Sequence, residues 1–247
     1  MLDKFNFYDL LGYLLPGATV ALTLYWISTY ALGLQLPALQ TDFGSSVFFL
    51  GLSYLVGQLV HGIGSFYEDS INKPYGGRRV SERLLLPVTD PIALHSFSPA
   101  LKERIFKAAQ AVFVVANDPR EVFEQCYALV VQKGLAIHTE IFLALNGLAR
   151  SMLVASSIGF VLGVWLVANQ LMLHAAKSLG ASVPSTGIWS LSQPQLVAGS
   201  VTIVAFGLAI PLMYRAFGRF RNYFAESVYY NFLAWYGRQV LTPTSPV

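Results

Sequence analysis

The sequence predicts an all-α integral membrane protein in which four helices span the bilayer and a helical domain lies in the cytoplasm. The 247-residue chain is 55% hydrophobic and 12% charged, and its mean hydropathy is +0.54. This composition suits lipid better than the surface of a soluble domain. Four stretches contain no Lys, Arg, Asp or Glu: residues 10–34, 46–66, 151–173 and 196–214. At about 1.5 Å per residue, each can cross a hydrocarbon core of about 30 Å as a helix.

The basic residues determine the predicted topology. Every Lys and Arg except Lys177 lies near the amino terminus, between residues 73 and 150, or in the carboxyl-terminal tail. Lys and Arg collect on the cytoplasmic side of spanning helices, so we expect both termini and the long middle segment in the cytoplasm. The predicted organisation is a membrane hairpin over 1–66, a cytoplasmic helical domain over 67–149, a second membrane hairpin over 150–214 and a cytoplasmic amphipathic tail helix over 215–247.

The first span carries a proline near its start. Pro16 has no backbone N–H and crowds the carbonyl of Gly12, so we expect a short interfacial helix up to Leu15 to bend there into the spanning helix. Asp9 is expected to cap that helix or pair with a nearby base; the alternative is a polar intramembrane role in proton transfer. The apolar run is long and no small-residue cleavage site follows it, which predicts a retained anchor.

The second span carries a narrow stripe of small and polar residues. Ser53, Gly57, His61 and Gly64 recur at helical spacing, which allows another helix to approach closely. His61 is the one ionisable side chain inside a predicted span, which makes it a candidate gate or pore-lining residue. The alternative is a neutral imidazole that is hydrogen-bonded to a neighbouring helix close to the cytoplasmic interface.

The third and fourth spans carry their own packing signals. Ala155, Gly159 and Gly163 follow one another at four-residue spacing, which predicts close helix pairing within one chain or between two. Pro211 is expected to kink the fourth span near its cytoplasmic exit.

Helix-start signals organise the middle segment. Ser98 before Pro99 predicts an N-cap with proline at the first helical position, in a helix that ends near Asn117. Asp118 opens a capping box that starts the next helix. No further proline follows before Arg150, so this second helix is expected to continue into the third span as one long rod.

The tail is predicted to extend the fourth span as an amphipathic helix. One helical face carries a largely aromatic stripe, which is more often core packing than a ligand site: Phe217, Phe220, Phe224, Val228, Asn231 and Trp235.

Five arginines beside the predicted spans are expected to contact lipid headgroups or another anion: Arg78, Arg79, Arg215, Arg219 and Arg221. Arg78 and Arg79 follow a glycine pair whose backbone amides could also bind an anion.

The sequence lacks the common catalytic signatures. It contains no H-E-x-x-H, C-x-x-C, phosphate-binding loop or G-x-S-x-G motif, and its single cysteine, Cys126, excludes an intrachain disulfide. We therefore expect no catalytic residue, no metal and no cofactor. The net charge of +3 is concentrated beside the membrane, which predicts anionic lipid rather than nucleic acid as a partner.

Three short strings carry a resemblance to a group of proteins. They are Phe7-Tyr8-Asp9-Leu10-Leu11-Gly12-Tyr13-Leu14-Leu15-Pro16-Gly17, Tyr54-Leu55-Val56-Gly57 leading to His61, and Asn146-Gly147-Leu148-Ala149-Arg150 before the third span. In these strings and in its topology the chain resembles uncharacterised small bacterial four-span membrane proteins. Some multi-span proteins of this general size serve anti-phage defence systems as membrane-disrupting effectors or membrane sensors. The resemblance implies such a role, in the inner membrane of a bacterium.

Three functional hypotheses follow. The first is a homo-oligomeric membrane protein whose spans form or gate a pore, or perturb the bilayer, when its cytoplasmic domain receives a signal or a cytosolic protein partner. The second is a membrane anchor or scaffold that recruits such a partner. The third is a lipid-modifying or proteolytic membrane enzyme that uses His61, Glu68 or Asp69.

Overall fold

All regular structure in the described part of the chain is helical. The computed structural model describes residues 10–31, 43–113, 118–180 and 193–241, and these ranges contain no strand. Within these ranges, seven α-helices follow one another: α1 (Leu15–Trp26), α2 (Phe43–Asn72), α3 (Val80–Leu85), α4 (Pro99–Val112), α5 (Pro119–Gln132), α6 (Ile137–Ser178) and α7 (Gln193–Leu241). The predicted all-α class is confirmed.

Among the described residues, three helices are long and apolar enough to cross a membrane: α2, α6 and α7. They contain the second, third and fourth predicted spans, and α7 continues through Pro211 to Leu241 as a single helix. The chain therefore has the helices of a membrane protein.

The first predicted span is built differently. α1 has 12 residues and is flanked by π-helical turns at Leu10–Leu14 and Ile27–Ala31. The first of these turns precedes Pro16, where a missing amide and a crowded carbonyl disfavour a regular α-helix. By itself α1 is shorter than the roughly 20 residues that a crossing needs. Asp9 and the residues before it lie outside the described part of the chain.

The described residues form two compact units. The first, which we call the membrane unit, comprises the described parts of Met1–Phe66 and Gly147–Phe217 and holds the apolar portions of the long helices. The second, which we call the helical unit, comprises the described parts of Tyr67–Asn146 and Gly218–Val247. α2, α6 and α7 each contribute residues to both units.

α6 is the most enclosed helix of the membrane unit. In its apolar stretch 44% of the residues are buried, against 17% in α2 and in α7. Val154 and Ala155 of α6 pack with Val20 of α1 and Val60 of α2, and Leu166 packs with Ile27. α1 and α2 thus share one part of the α6 surface.

Five hydroxyl side chains in the membrane unit bond within their own helices. Each donates to the carbonyl four residues earlier, at 2.7 to 2.9 Å: Thr19, Thr23, Ser157, Ser200 and Thr202. Lipid offers no water to these groups, so this internal bonding lets polar residues stay on apolar helices.

The core of the helical unit is built around the last part of α7. Val228, Tyr229 and Phe232 are fully buried there, against Ile105 of α4 and Val130 of α5. The predicted aromatic stripe includes Val228, but Tyr229 and Phe232 were not part of it. Their burial places the packed face of α7 slightly to one side of the predicted stripe.

The prediction of one rod from Asp118 into the third span was wrong. α5 ends at Gln132 and α6 begins at Ile137. Gly134, between them, has a φ of 67°, a left-handed conformation that glycine adopts without steric cost. The amides of Gly134 and Leu135 donate to the carbonyls of Val131 and Val130, which closes α5 as a capped end.

The two predicted helix starts are confirmed by their capping bonds. The hydroxyl of Ser98 accepts from the amide of Leu101 at 3.3 Å, and α4 begins at Pro99. The carboxylate of Asp118 accepts from the amide of Arg120 at 3.2 Å, and α5 begins at Pro119. α4 ends at Val112; residue 117, its predicted end, lies outside the described residues.

Cys126 provides a test of this core. It is fully buried in α5, and burial raises the pKa of its thiol to about 12. The reactive thiolate is therefore scarce at pH 8, and we expect negligible labelling of the folded protein by a maleimide or disulfide reagent. Guanidinium that unfolds the helical unit should make the single thiol fully reactive. Rapid labelling of the folded chain at pH 8 would contradict this packing.

Candidate functional site

A polar cluster lies between α2 and α6 within the membrane unit, formed by Tyr13, His61, Arg150 and Ser151. Nη2 of Arg150 lies 2.8 Å from Nε2 of His61, and Nδ1 of His61 lies 3.3 Å from the hydroxyl of Ser151. The ring of Tyr13 meets the imidazole edge-on at a centroid distance of 4.8 Å. Three segments of the chain therefore converge on one imidazole.

The guanidinium of Arg150 lies beside both ring nitrogens of His61. Nη2 of Arg150 is 2.8 Å from Nε2 and 3.5 Å from Nδ1. A guanidinium only donates hydrogen bonds, so it can bond to whichever ring nitrogen carries no proton.

The sequence identified one half of this cluster. His61 was predicted from its place in an apolar span, and the contacts match the alternative of an imidazole hydrogen-bonded to a neighbouring helix. Arg150 was regarded only as a basic residue at the start of the third span. The side chain of Arg150 packs against Gly64 of α2. A Cβ added to Gly64 would lie 3.1 Å from Cγ of Arg150. No local sequence signal shows this pairing, because the two residues are 89 positions apart.

Gly57 lies where the first helical segment touches α2 backbone to backbone. A Cβ on Gly57 would overlap the carbonyl oxygen of Tyr13 and lie 2.6 Å from its carbonyl carbon. A Cβ on Gly17 would likewise overlap the carbonyl oxygen of Ser53 and lie 2.6 Å from the amide nitrogen of Gly57. This close crossing brings Tyr13 to His61.

Gly159 and Gly163 lie in a second close crossing, between α6 and α7. A Cβ on Gly159 would overlap the ring of Phe206, and one on Gly163 would lie 3.0 Å from Ile203 and 3.1 Å from the carbonyl oxygen of Gly199. Both glycines thus lie within one chain's helix packing.

The five arginines predicted to meet an anion have different surroundings. Arg79, Arg215 and Arg219 are exposed. Arg78 is also exposed and lies 3.7 Å from the carboxylate of Asp90. Arg221 is half-buried in the helical unit, where it donates to the side-chain oxygen of Asn72 at 3.1 Å.

Two buried cations of the helical unit were missed by sequence reasoning. Nε of Arg83 donates to the carbonyl of Ile92 at 2.8 Å, and its guanidinium lies 3.7 Å above the ring of Tyr75. Nζ of Lys102 donates to the carbonyls of Leu86 at 2.6 Å and Leu94 at 3.2 Å. Both cations donate to backbone carbonyls of the segment between α3 and α4 and so hold that segment in place. Sequence reasoning missed this role because a basic residue in an amphipathic helix looks the same whether it is buried or exposed.

The described residues of the helical unit line two cavities of note. One, of about 340 Å³, is lined by the side chains of Arg79, Glu82, Arg120 and Glu124 together with aromatic rings. The other, of about 530 Å³, is lined mainly by apolar side chains and by Lys102. Among the described residues, no three His, Cys, Asp or Glu side chains gather as they would around a metal.

No protein-family model matches the sequence, and no curated protein or solved structure matches it either.

Proposed function

We propose that this chain is a non-enzymatic, homo-oligomeric protein of the bacterial inner membrane that acts as an effector or sensor. On a signal received by its helical unit, it would open a pore or otherwise perturb the bilayer, and the resemblance of its short strings suggests a role in anti-phage defence. The observation that carries the proposal is the polar cluster, in which Arg150 is hydrogen-bonded to His61 among apolar helices. Ionisable groups at such positions are costly and by default mark function.

The proposal includes four membrane crossings with the helical unit and both termini in the cytoplasm. The helical run from Leu10 to Ala31 contains no charged residue and packs on α2 at backbone contact, which supports a crossing beside α2. The distribution of Lys and Arg supports the cytoplasmic side for the helical unit.

Self-association is supported by the outer face of α2. Gly51, Leu55, Gln58 and Gly62 recur at helical spacing and are all exposed. A Cβ on Gly51 or Gly62 would meet nothing within 4 Å, so another helix has room to approach there. An amide facing lipid gains a hydrogen bond when a second copy supplies a partner, and small residues beside it allow close contact.

The proposed input is a cytosolic protein or other signal that binds the helical unit. α2, α6 and α7 contribute residues to both units, so they are the segments through which binding would bias the membrane unit. A signal acts in this way only if it binds the active arrangement more tightly than the resting one.

Replacing Arg150 with Leu tests the function directly. The change removes the hydrogen bond that joins α6 to His61 of α2, and a bond to a charged group contributes about 1.5–3 kcal/mol. We expect the balance between resting and active arrangements to shift at least about tenfold, with faster release of a fluorescent dye from liposomes. Arg104→Leu, which removes an exposed arginine of α4, is the matched control and should behave as the wild type.

A second candidate is a membrane anchor that recruits a cytosolic protein without conduction. It is favoured by the exposed face of α7, where Val197, Val201, Val204, Leu208 and Leu212 form an apolar stripe suited to lipid. If folded wild-type protein and the Arg150→Leu variant both leave the dye enclosed, this anchor replaces the effector.

A further inference from the structure

The larger cavity of the helical unit combines an apolar wall with one buried cation. Its volume is about 530 Å³, within the range of small-molecule sites, which is roughly 300–1,000 Å³. Leu86, Val88 and Phe106 are among its apolar lining residues. Of the described residues that line it, one is charged, Lys102. The side chain of Lys102 is 5% exposed.

Lys102 lines the cavity, and its ammonium group bonds to backbone carbonyls beside it. Nζ donates to the carbonyl of Leu86, which also lines the cavity, and to the carbonyl of Leu94. An ammonium group has three donors, and within the described residues two of them have protein acceptors. The third remains for a ligand. Burial lowers the pKa of Lys102, because desolvation disfavours the charged ammonium.

From this combination we infer that the cavity binds an amphipathic carboxylate, an apolar chain that ends in one carboxyl group. The apolar wall would bury the chain, and the carboxylate would accept the third hydrogen bond of the Lys102 ammonium. A single ammonium balances the one negative charge of a monoanion, which it meets as a point charge. The hydroxyl of Thr89, another lining residue, offers a second polar contact.

This site is separate from the proposed membrane function. It lies in the helical unit and involves no residue of the polar cluster. Binding can be measured without any membrane readout, so the failure of either proposal leaves the other standing.

A photoreactive decanoate carrying a diazirine on its chain tests the inference on full-length protein in nanodiscs. Mass spectrometry should place cross-links on the segments 85–89 and 99–106, and unlabelled decanoate should compete at least about tenfold better than decanol, since a bond to a charged group is worth that factor. Lys102→Met should lose that preference. Lys107→Met, which changes an exposed lysine of the same helix, should keep it.

A second variant keeps the test decisive if Lys102→Met does not fold. Val88 is 47% exposed, so Val88→Trp can fill the cavity while the lysine keeps its carbonyl partners, and it should abolish cross-linking at these segments. Protection of Cys126 from labelling reports folding in every variant. Equal competition by decanoate and decanol, or cross-links confined to the membrane unit, would show that Lys102 only fastens the segment between α3 and α4.

Discussion

Replacing Gly57 with Ala is expected to destabilise the membrane unit by about 3 kcal/mol, the upper end of ordinary overpacking costs. The added methyl group would overlap the backbone of Tyr13, and backbone cannot move aside as a flexible side chain can. The first helical segment and α2 must separate, which also pulls the ring of Tyr13 away from His61. Reversible unfolding in mixed micelles, followed by circular dichroism, measures the loss.

The same helix supplies the controls for this substitution. In the single chain, a Cβ on Gly51 or Gly62 meets nothing within 4 Å. In micelles that each hold one copy, Gly51→Ala and Gly62→Ala should therefore be at least as stable as the wild type, because Ala favours a helix over Gly by about 1 kcal/mol. If Gly57→Ala unfolds at the same point as Gly62→Ala, the backbone contact between the two helices does not exist.

Replacing Tyr229 with Ala is expected to cost the helical unit about 3–5 kcal/mol. Tyr229 is fully buried, its hydroxyl donates to the carbonyl of Ser81 at 2.9 Å, and its ring packs edge-on against Phe97 and Phe123. The readout is the labelling rate of Cys126, which lies in the same core. At about 1.4 kcal/mol per tenfold change, the rate should rise by at least about 100-fold.

Two further substitutions separate the contributions of Tyr229. Tyr229→Phe removes only the hydroxyl and should cost about 1 kcal/mol. Tyr230→Ala changes the next residue, which is 51% exposed and has one ring contact with Phe97, so it should cost about 1 kcal/mol or less. If Tyr229→Ala leaves Cys126 as protected as in the wild type, the core of the helical unit is packed in another way.

The glycines of α2 show what a sequence pattern can predict about helix packing and what it cannot. The spacing of Ser53, Gly57 and Gly64 predicted a helix contact surface on α2, and all three are buried. The pattern did not name the partners, because a small residue permits close approach by any helix. The partners, Tyr13 for Gly57 and Arg150 for Gly64, follow from how the helices pack.

The sequence by itself determined the helical class, the three long apolar helices and the starts of α4 and α5, because hydropathy, helical periodicity and capping act over a few turns of the chain. Only the tertiary structure decided that α5 stops at Gln132, that Arg150 pairs with His61 and that Lys102 is buried beside a cavity. Arg150 and His61 are 89 positions apart. The carbonyls that accept from Lys102 lie 16 and 8 positions before it, in a segment without regular helix, where no periodicity predicts them. The end of α5 depends on Gly134, which adopts a left-handed conformation. Glycine can adopt that conformation without steric cost but need not do so, so the sequence alone did not predict the break.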